Sequence, residues 1–179
     1  MAMRLIVLAM VLLAARPALA GMPADCSKGP VPDGAVHGTV NGKPFVPQEA
    51  TLGFTKDGMV VNDVHLDRYV LSIQTDGIFN ALSVDMMVPG GKKPDGRTFR
   101  VLPVDDIDKQ PAAAEGTPEV QGWDLEQENA GVKTSFTEDT ASIQVVFGMR
   151  KGNVMPGKIH MCVPGVSAEI VGSFSATMQ

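Results

Sequence analysis

The most reactive grouping in this chain is His160-Met161-Cys162. Imidazole, thioether and thiol are soft ligands that suit copper(I). Side chains alternate between the two faces of a strand, so His160 and Cys162 would share one face and Met161 would take the other. The remaining cysteine is Cys26. Two thiols in one domain of an oxidising compartment most often pair. A Cys26–Cys162 disulfide is therefore expected, and it would remove Cys162 from any metal site. His160 is then the residue left to carry copper, helped by nearby methionines. Methionine is also a filler of irregular core gaps. Met149 aligns with Val145 and Phe147 and is expected in the core.

Other chemistry is thinner. Asp105-Asp106-Ile107-Asp108 offers the oxygen ligands that calcium takes, without the spacing of an EF-hand loop. Trp123, the single tryptophan, follows the long loop over 103–122 and could stack on a ligand or fold back over the core. Trp123, Asp105, Asp106 and Asp108 are the candidate binding residues. Asp63 and Asp67 flank His65, but Asp67 is expected in a tight turn between two strands. Lys92 and Lys93 stand in a Gly- and Pro-rich loop over 89–96 that could receive an anion. No nucleophile elbow, His-Glu-x-x-His, phosphate loop or Cys-x-x-Cys occurs. No catalytic residue and no resident cofactor are expected.

The beginning of the chain sets the compartment. Arg4 precedes an entirely apolar run from Leu5 to Ala15. Spanning a bilayer needs about 20 residues, whereas this length fits a signal peptide. Ala18-Leu19-Ala20 supplies a small-x-small cleavage pattern, so the cut is expected after Ala20. Pro23-Ala24-Asp25 before Cys26 does not fit a lipoprotein signal. No later stretch is apolar enough to cross a membrane. The expected location is the periplasm or the extracellular medium.

Without residues 1–20 the chain has 13 basic and 20 acidic residues, a net charge of −7. An acidic surface with no basic run argues against nucleic acid as a partner. The remaining length suits one domain.

Short strands separated by turn signals make up that domain. Residues 21–34, rich in Gly, Pro, Ser and Asp, read as an extended arm. Val36 to Val40 alternates, and Asn41-Gly42 is a strong hairpin signal. Pro44 in the return strand cannot donate to a ladder, which points to an edge. Further strands are expected over 50–54, 59–66, 68–75, 80–88 and 97–102, and late in the chain over 141–149, 158–163 and 168–177. The stretch 103–122 lacks periodicity and reads as a long loop. The best helix candidate is the short segment Trp123 to Asn129. The pattern predicts an all-β fold, a single antiparallel β-sandwich of about eight to ten strands over 35–179.

The opening Val36-His37-Gly38-Thr39-Val40-Asn41-Gly42-Lys43-Pro44-Phe45 and the closing Val171-Gly172-Ser173-Phe174-Ser175-Ala176 resemble the first hairpin and last strand of small exported bacterial proteins of uncharacterised function. Pro118 to Trp123 and Pro156 to Pro164 are similar in style. The resemblance implies an exported β-sandwich and carries no activity. The expected function is a non-enzymatic binding or accessory module for an unknown protein or small ligand, with its contact surface around Pro103 to Trp123. The alternatives are a copper-handling protein built on His160, and a hydrolase or isomerase whose site no motif reveals.

Overall fold

A computed structural model describes residues 25–61, 63–75, 79–101, 119–129, 132–136 and 140–179. The expected signal segment over 1–20, residues 21–24, and Asp105, Asp106 and Asp108 with the rest of 102–118 lie outside the described residues. The strands in chain order are β1 His37–Val40, β2 Lys43–Phe45, β3 Pro47–Val61, β4 Val64–Thr75, β5 Phe79–Pro89, β6 Thr98–Val101, β7 Glu119–Asn129, β8 Val132–Phe136, β9 Ser142–Phe147, β10 Val154–Val163 and β11 Ala168–Met178. Among the described residues the only helical turn is a three-residue 3-10 turn, Pro164–Val166.

The fold is all-β, as the alternation predicts. Its strands form one continuous ladder, β6-β9-β10-β11-β3-β4-β5-β7-β8, with β1 and β2 attached beside β11. The sheet curls into a half-barrel; the expected pair of stacked antiparallel sheets is replaced by one surface bent on itself. The sheet is mixed: β11 runs parallel to β3, joining Thr177 to Thr51 and Met178 to Leu52, and Ala35 bridges Ser173 in parallel. Sequence alternation specifies which side of a strand is buried, but not which strands become neighbours. That is why an all-β pattern reads equally well as a sandwich or a curled sheet.

The inner face carries the core. Leu52, Leu71, Ile73, Leu82, Val84, Leu125, Ile143, Val145, Ile159, Met161 and Ile170 are fully buried in one cluster drawn from both halves of the sheet. Phe147 sits edge-on between Phe99 and Phe174, with centroid separations of 5.7 and 5.9 Å. Edge-to-face contact of this kind is the favoured aromatic geometry.

The first hairpin forms as its sequence predicts. Asn41 and Gly42 both have positive φ, 50° and 72°, and Val40 pairs with Lys43. Pro44 lies on β2, which pairs only with β1, so its missing N–H costs no ladder bond.

Three local expectations are corrected. Trp123 to Asn129 is strand, part of β7, because its backbone pairs with β5 on one side and β8 on the other. The strands expected over 50–54 and 59–66 are divided differently: β3 runs on from Ala50 through Lys56-Asp57-Gly58 to Val61 by a register shift between Thr55 and Met59, and Val64 to Leu66 begin β4, which pairs back on it. Met149 is 68% exposed, since β9 ends at Phe147 and the alternation ends with it.

The arm does not hang free. Cys26 and Ser27 are fully buried and Val31 nearly so. The Cys26 N–H donates to Ser142 Oγ at 2.8 Å, and Arg100 Nε donates to the Ser27 carbonyl at 3.0 Å. Lys158 Nζ meets Asp33 at 2.6 Å. The arm thus covers the outer face of β6, β9 and β10, which explains why β9 has Ser142 and Gln144 buried on the side opposite the core.

Candidate functional site

The open end of the half-barrel holds a cleft of about 370 Å³. Phe54 and Tyr69, partners across β3 and β4, form one wall, with ring centroids 5.0 Å apart and planes tilted by 40°. Tyr69 is buried, but Phe54 stays 46% exposed, because it is the inward-facing residue just beyond Leu52 where the core runs out. Met155 and Met178 form the floor. Lys93, Asp95, Arg150 and Asn153 line the rim, and come from the turns before β6 and after β9. Met149 Sδ lies 3.6 Å from the position a Cβ on Gly96 would take. This leaves a second exposed apolar side chain beside Asp95.

The rim is tied together through backbone. Arg150 N–H donates to Asp95 Oδ1 at 3.2 Å, and Gly96 N–H donates to the Gly148 carbonyl at 3.1 Å. Burial raises the Tyr69 phenol above its ordinary pKa; the carboxylates of Asp67 and Asp95 raise it further, and Arg150 opposes them. Tyr69 therefore stays a neutral hydroxyl at physiological pH.

Asp67 does not occupy a turn. It is a buried residue inside β4, 4% exposed. A carboxylate survives there because both oxygens are used: Oδ1 accepts the Asp57 N–H at 3.1 Å, and Oδ2 accepts the Gly91 N–H at 2.9 Å. The two contacts clip the β3 irregularity and the β5–β6 connection to one strand. Asp67→Asn replaces one acceptor by an NH2 group facing a donor. The expected loss is about 1–3 kcal/mol, the cost of one unsatisfied buried donor, read as a lower urea midpoint. A loss under about 0.5 kcal/mol, the level of an ordinary surface change, would mean that the loops hold without it.

A second grouping lies on the outer face under the arm. Cys26 and Cys162 meet at disulfide distance, with Cα atoms 5.6 Å apart. His160 Nε2 is 3.1 Å from Cys26 Sγ and 3.4 Å from Glu169 Oε1. The ladder explains the meeting: Ser142, Cys162 and Glu169 form one cross-strand row, and Gln144, His160 and Val171 form the next. Met161 points the other way, into the core. In the arm, burial opposes ionisation of Asp25, but hydrogen bonds from Lys28 and Ser27 outweigh it and hold this carboxyl below its usual range.

The other residues singled out in the sequence scatter. Trp123 pairs with buried Val84 across β5 and β7 and packs on the edge of the core. It also borders a shallow depression with Arg68 and Asp85, whose charges already satisfy each other through a two-pronged contact. His65 is exposed and meets Asp57 at 3.3 Å, not Asp63. His37 hydrogen-bonds the Ala35 carbonyl. Phe54, Tyr69 and Arg150 were not singled out as site residues in the sequence, where Phe54 and Tyr69 read as ordinary strand residues. Only the curl of the sheet brings them to one cleft.

Among the described residues, no helix is long and apolar enough to cross a membrane. No family model, curated protein or solved structure matches the chain.

Proposed function

We propose that this chain is an exported binding module that takes a small amphipathic ligand, a flat apolar body bearing an anionic group, in the mouth of the half-barrel. The observation that carries this reading is Phe54, nearly half exposed and stacked on Tyr69 at the entrance of a cleft. A large aromatic left in water at the end of a core is a ready stacking surface. Mouths of barrel-like sheets are common ligand sites, with apolar walls and a few orienting polar groups. Lys93 and Arg150 against Asp95 bias the rim toward an anion. The cysteine pair, at bonding distance, is compatible with an oxidising location outside the cytoplasm.

The probe that matches this chemistry is anilinonaphthalene sulfonate, an aromatic body with one sulfonate. The mature chain is expected to bind it saturably, with enhanced fluorescence. Phe54→Ala should weaken binding about 3- to 10-fold, the equivalent of a lost aromatic contact. Arg150→Gln should weaken it too, and more so at low salt. Equal binding by wild type and Phe54→Ala would remove the mouth as the site.

A further inference from the structure

Cys26, His160 and Cys162 place two sulfurs and an imidazole nitrogen within 4.8 Å of one another. A tetrahedral zinc ion with Zn–S bonds of about 2.3 Å and a Zn–N bond of about 2.0 Å holds its ligand atoms roughly 3.5–3.8 Å apart. The two sulfurs stand at disulfide distance, and His160 Nε2 is 3.1 Å from Cys26 Sγ, so once the bond is reduced a small parting of the sulfurs lets all three atoms reach one ion. We propose that in its dithiol state the chain holds one thiophilic d10 cation, zinc(II) or copper(I), on Cys26, Cys162 and His160, and that this site and the disulfide are alternative states of the same residues.

Several observations support a built site rather than a chance meeting. All three side chains come from elements held for other reasons: His160 and Cys162 from one face of β10, and Cys26 from an arm fixed by Ser142, Arg100 and Lys158. Both sulfurs are buried, and the His160 side chain is only 14% exposed. Glu169 Oε1 stands 3.4 Å from His160 Nε2, on the side of the ring that faces Cys26, within reach as a further oxygen ligand. Gln144, directly across the ladder from His160, is 4% exposed and its Oε1 has no hydrogen-bond partner among the described residues. Soft sulfur and imidazole select these cations over calcium or magnesium. Methionine is no part of this site, since Met161 faces the core.

The chemistry balances without a hidden reagent. Zinc binding converts two thiols to two thiolates and releases two protons. Closing the disulfide instead removes two electrons and two protons, which reduce the disulfide of a partner dithiol to two thiols. Oxidation of the loaded site would expel the ion, because a disulfide has no thiolate to offer.

The test uses the full mature chain, reduced with a phosphine and freed of reductant under argon. Zinc and copper(I) are added separately, each in competition with a chromophoric chelator, and stoichiometry is read by native mass spectrometry. One ion per dithiol chain is expected, with none retained by the disulfide form. His160→Ala should weaken binding at least about 10-fold, the lower end of what altering a metal's surroundings costs. Circular dichroism of the reduced apo chain covers the case in which it unfolds: metal should then restore the β spectrum. The proposal is overturned by three results: equal binding by dithiol and disulfide forms, unchanged affinity in His160→Ala, or a reduced chain that neither binds nor refolds with either ion.

Discussion

Replacing Cys26 and Cys162 together by alanine is expected to cost about 2–4 kcal/mol of stability, the usual value of a native cross-link. The two residues are 136 positions apart, so the link ties nearly the whole chain into one loop, and chain-entropy models put the ceiling near 4–5 kcal/mol. The effect should also be local. Cys26 anchors an arm that covers buried Ser142 and Gln144, and the same arm continues into hydrogen bonds with β11. Ser173 N–H donates to the Gly34 carbonyl at 2.6 Å, and Val36 N–H donates to the Ser173 carbonyl at 3.2 Å. Amide exchange in the double variant should therefore speed up at Val36 and Ser173 well before it does at core strands such as β4. Urea unfolding gives the global loss and exchange gives its location. A global loss under about 1 kcal/mol, with Val36 and Ser173 unchanged, would mean that the arm is held by its polar contacts alone and that the link adds little.

The strands, the first hairpin and the cysteine pairing were legible because each is written in local chemistry: alternation, Asn41-Gly42, and two thiols in one chain. What was not legible depends on how the sheet closes. Asp67 looked like a turn residue because aspartate is rare inside strands; its two backbone donors come from Asp57 and Gly91, one of them far along the chain. Met149 looked like core because the alternation of β9 carries no mark of where the strand ends. Phe54 drew no notice for the same reason in reverse: a residue facing inward is buried only where another part of the sheet faces it, and its alternation does not show that the core ends there. The arm's low-complexity look concealed Cys26 and Ser27, buried by a sheet face that sequence patterning would leave wet. His160 was found from its neighbours in the sequence, but its companions Cys26 and Glu169 are brought to it by the arm and by β11.

Gly172→Ala is expected to destabilise the fold strongly. Gly172 lies inside β11 with φ of +133°, a region open almost only to glycine, and forcing a side chain into such backbone costs about 1–3 kcal/mol. Space is also missing. A Cβ there would stand 2.6 Å from the Ala35 carbonyl oxygen and 2.8 Å from Val36 Cα, both backbone atoms of the arm that cannot rotate away. Relieving that overlap means lifting the arm or bending β11, and overpacking of this kind costs a further ~1–3 kcal/mol. The middle of the combined range is about 4 kcal/mol, a large share of the roughly 5–15 kcal/mol by which domains are stable. Gly122→Ala is the control. Gly122 is also in a strand, its φ is ordinary, and nothing lies within 4 Å of its Cβ position, so its effect should stay within about 0.5 kcal/mol. The lifted arm gives the comparison a second readout, because it carries Cys26 away from Cys162 and His160. Gly172→Ala should therefore make the cysteine pair easier to reduce by a small thiol, while Gly122→Ala leaves it protected. If both variants melt alike and reduce alike, the arm does not depend on the crossing at Gly172, and the buried placement of Cys26 must rest on Ser142 and Arg100 instead.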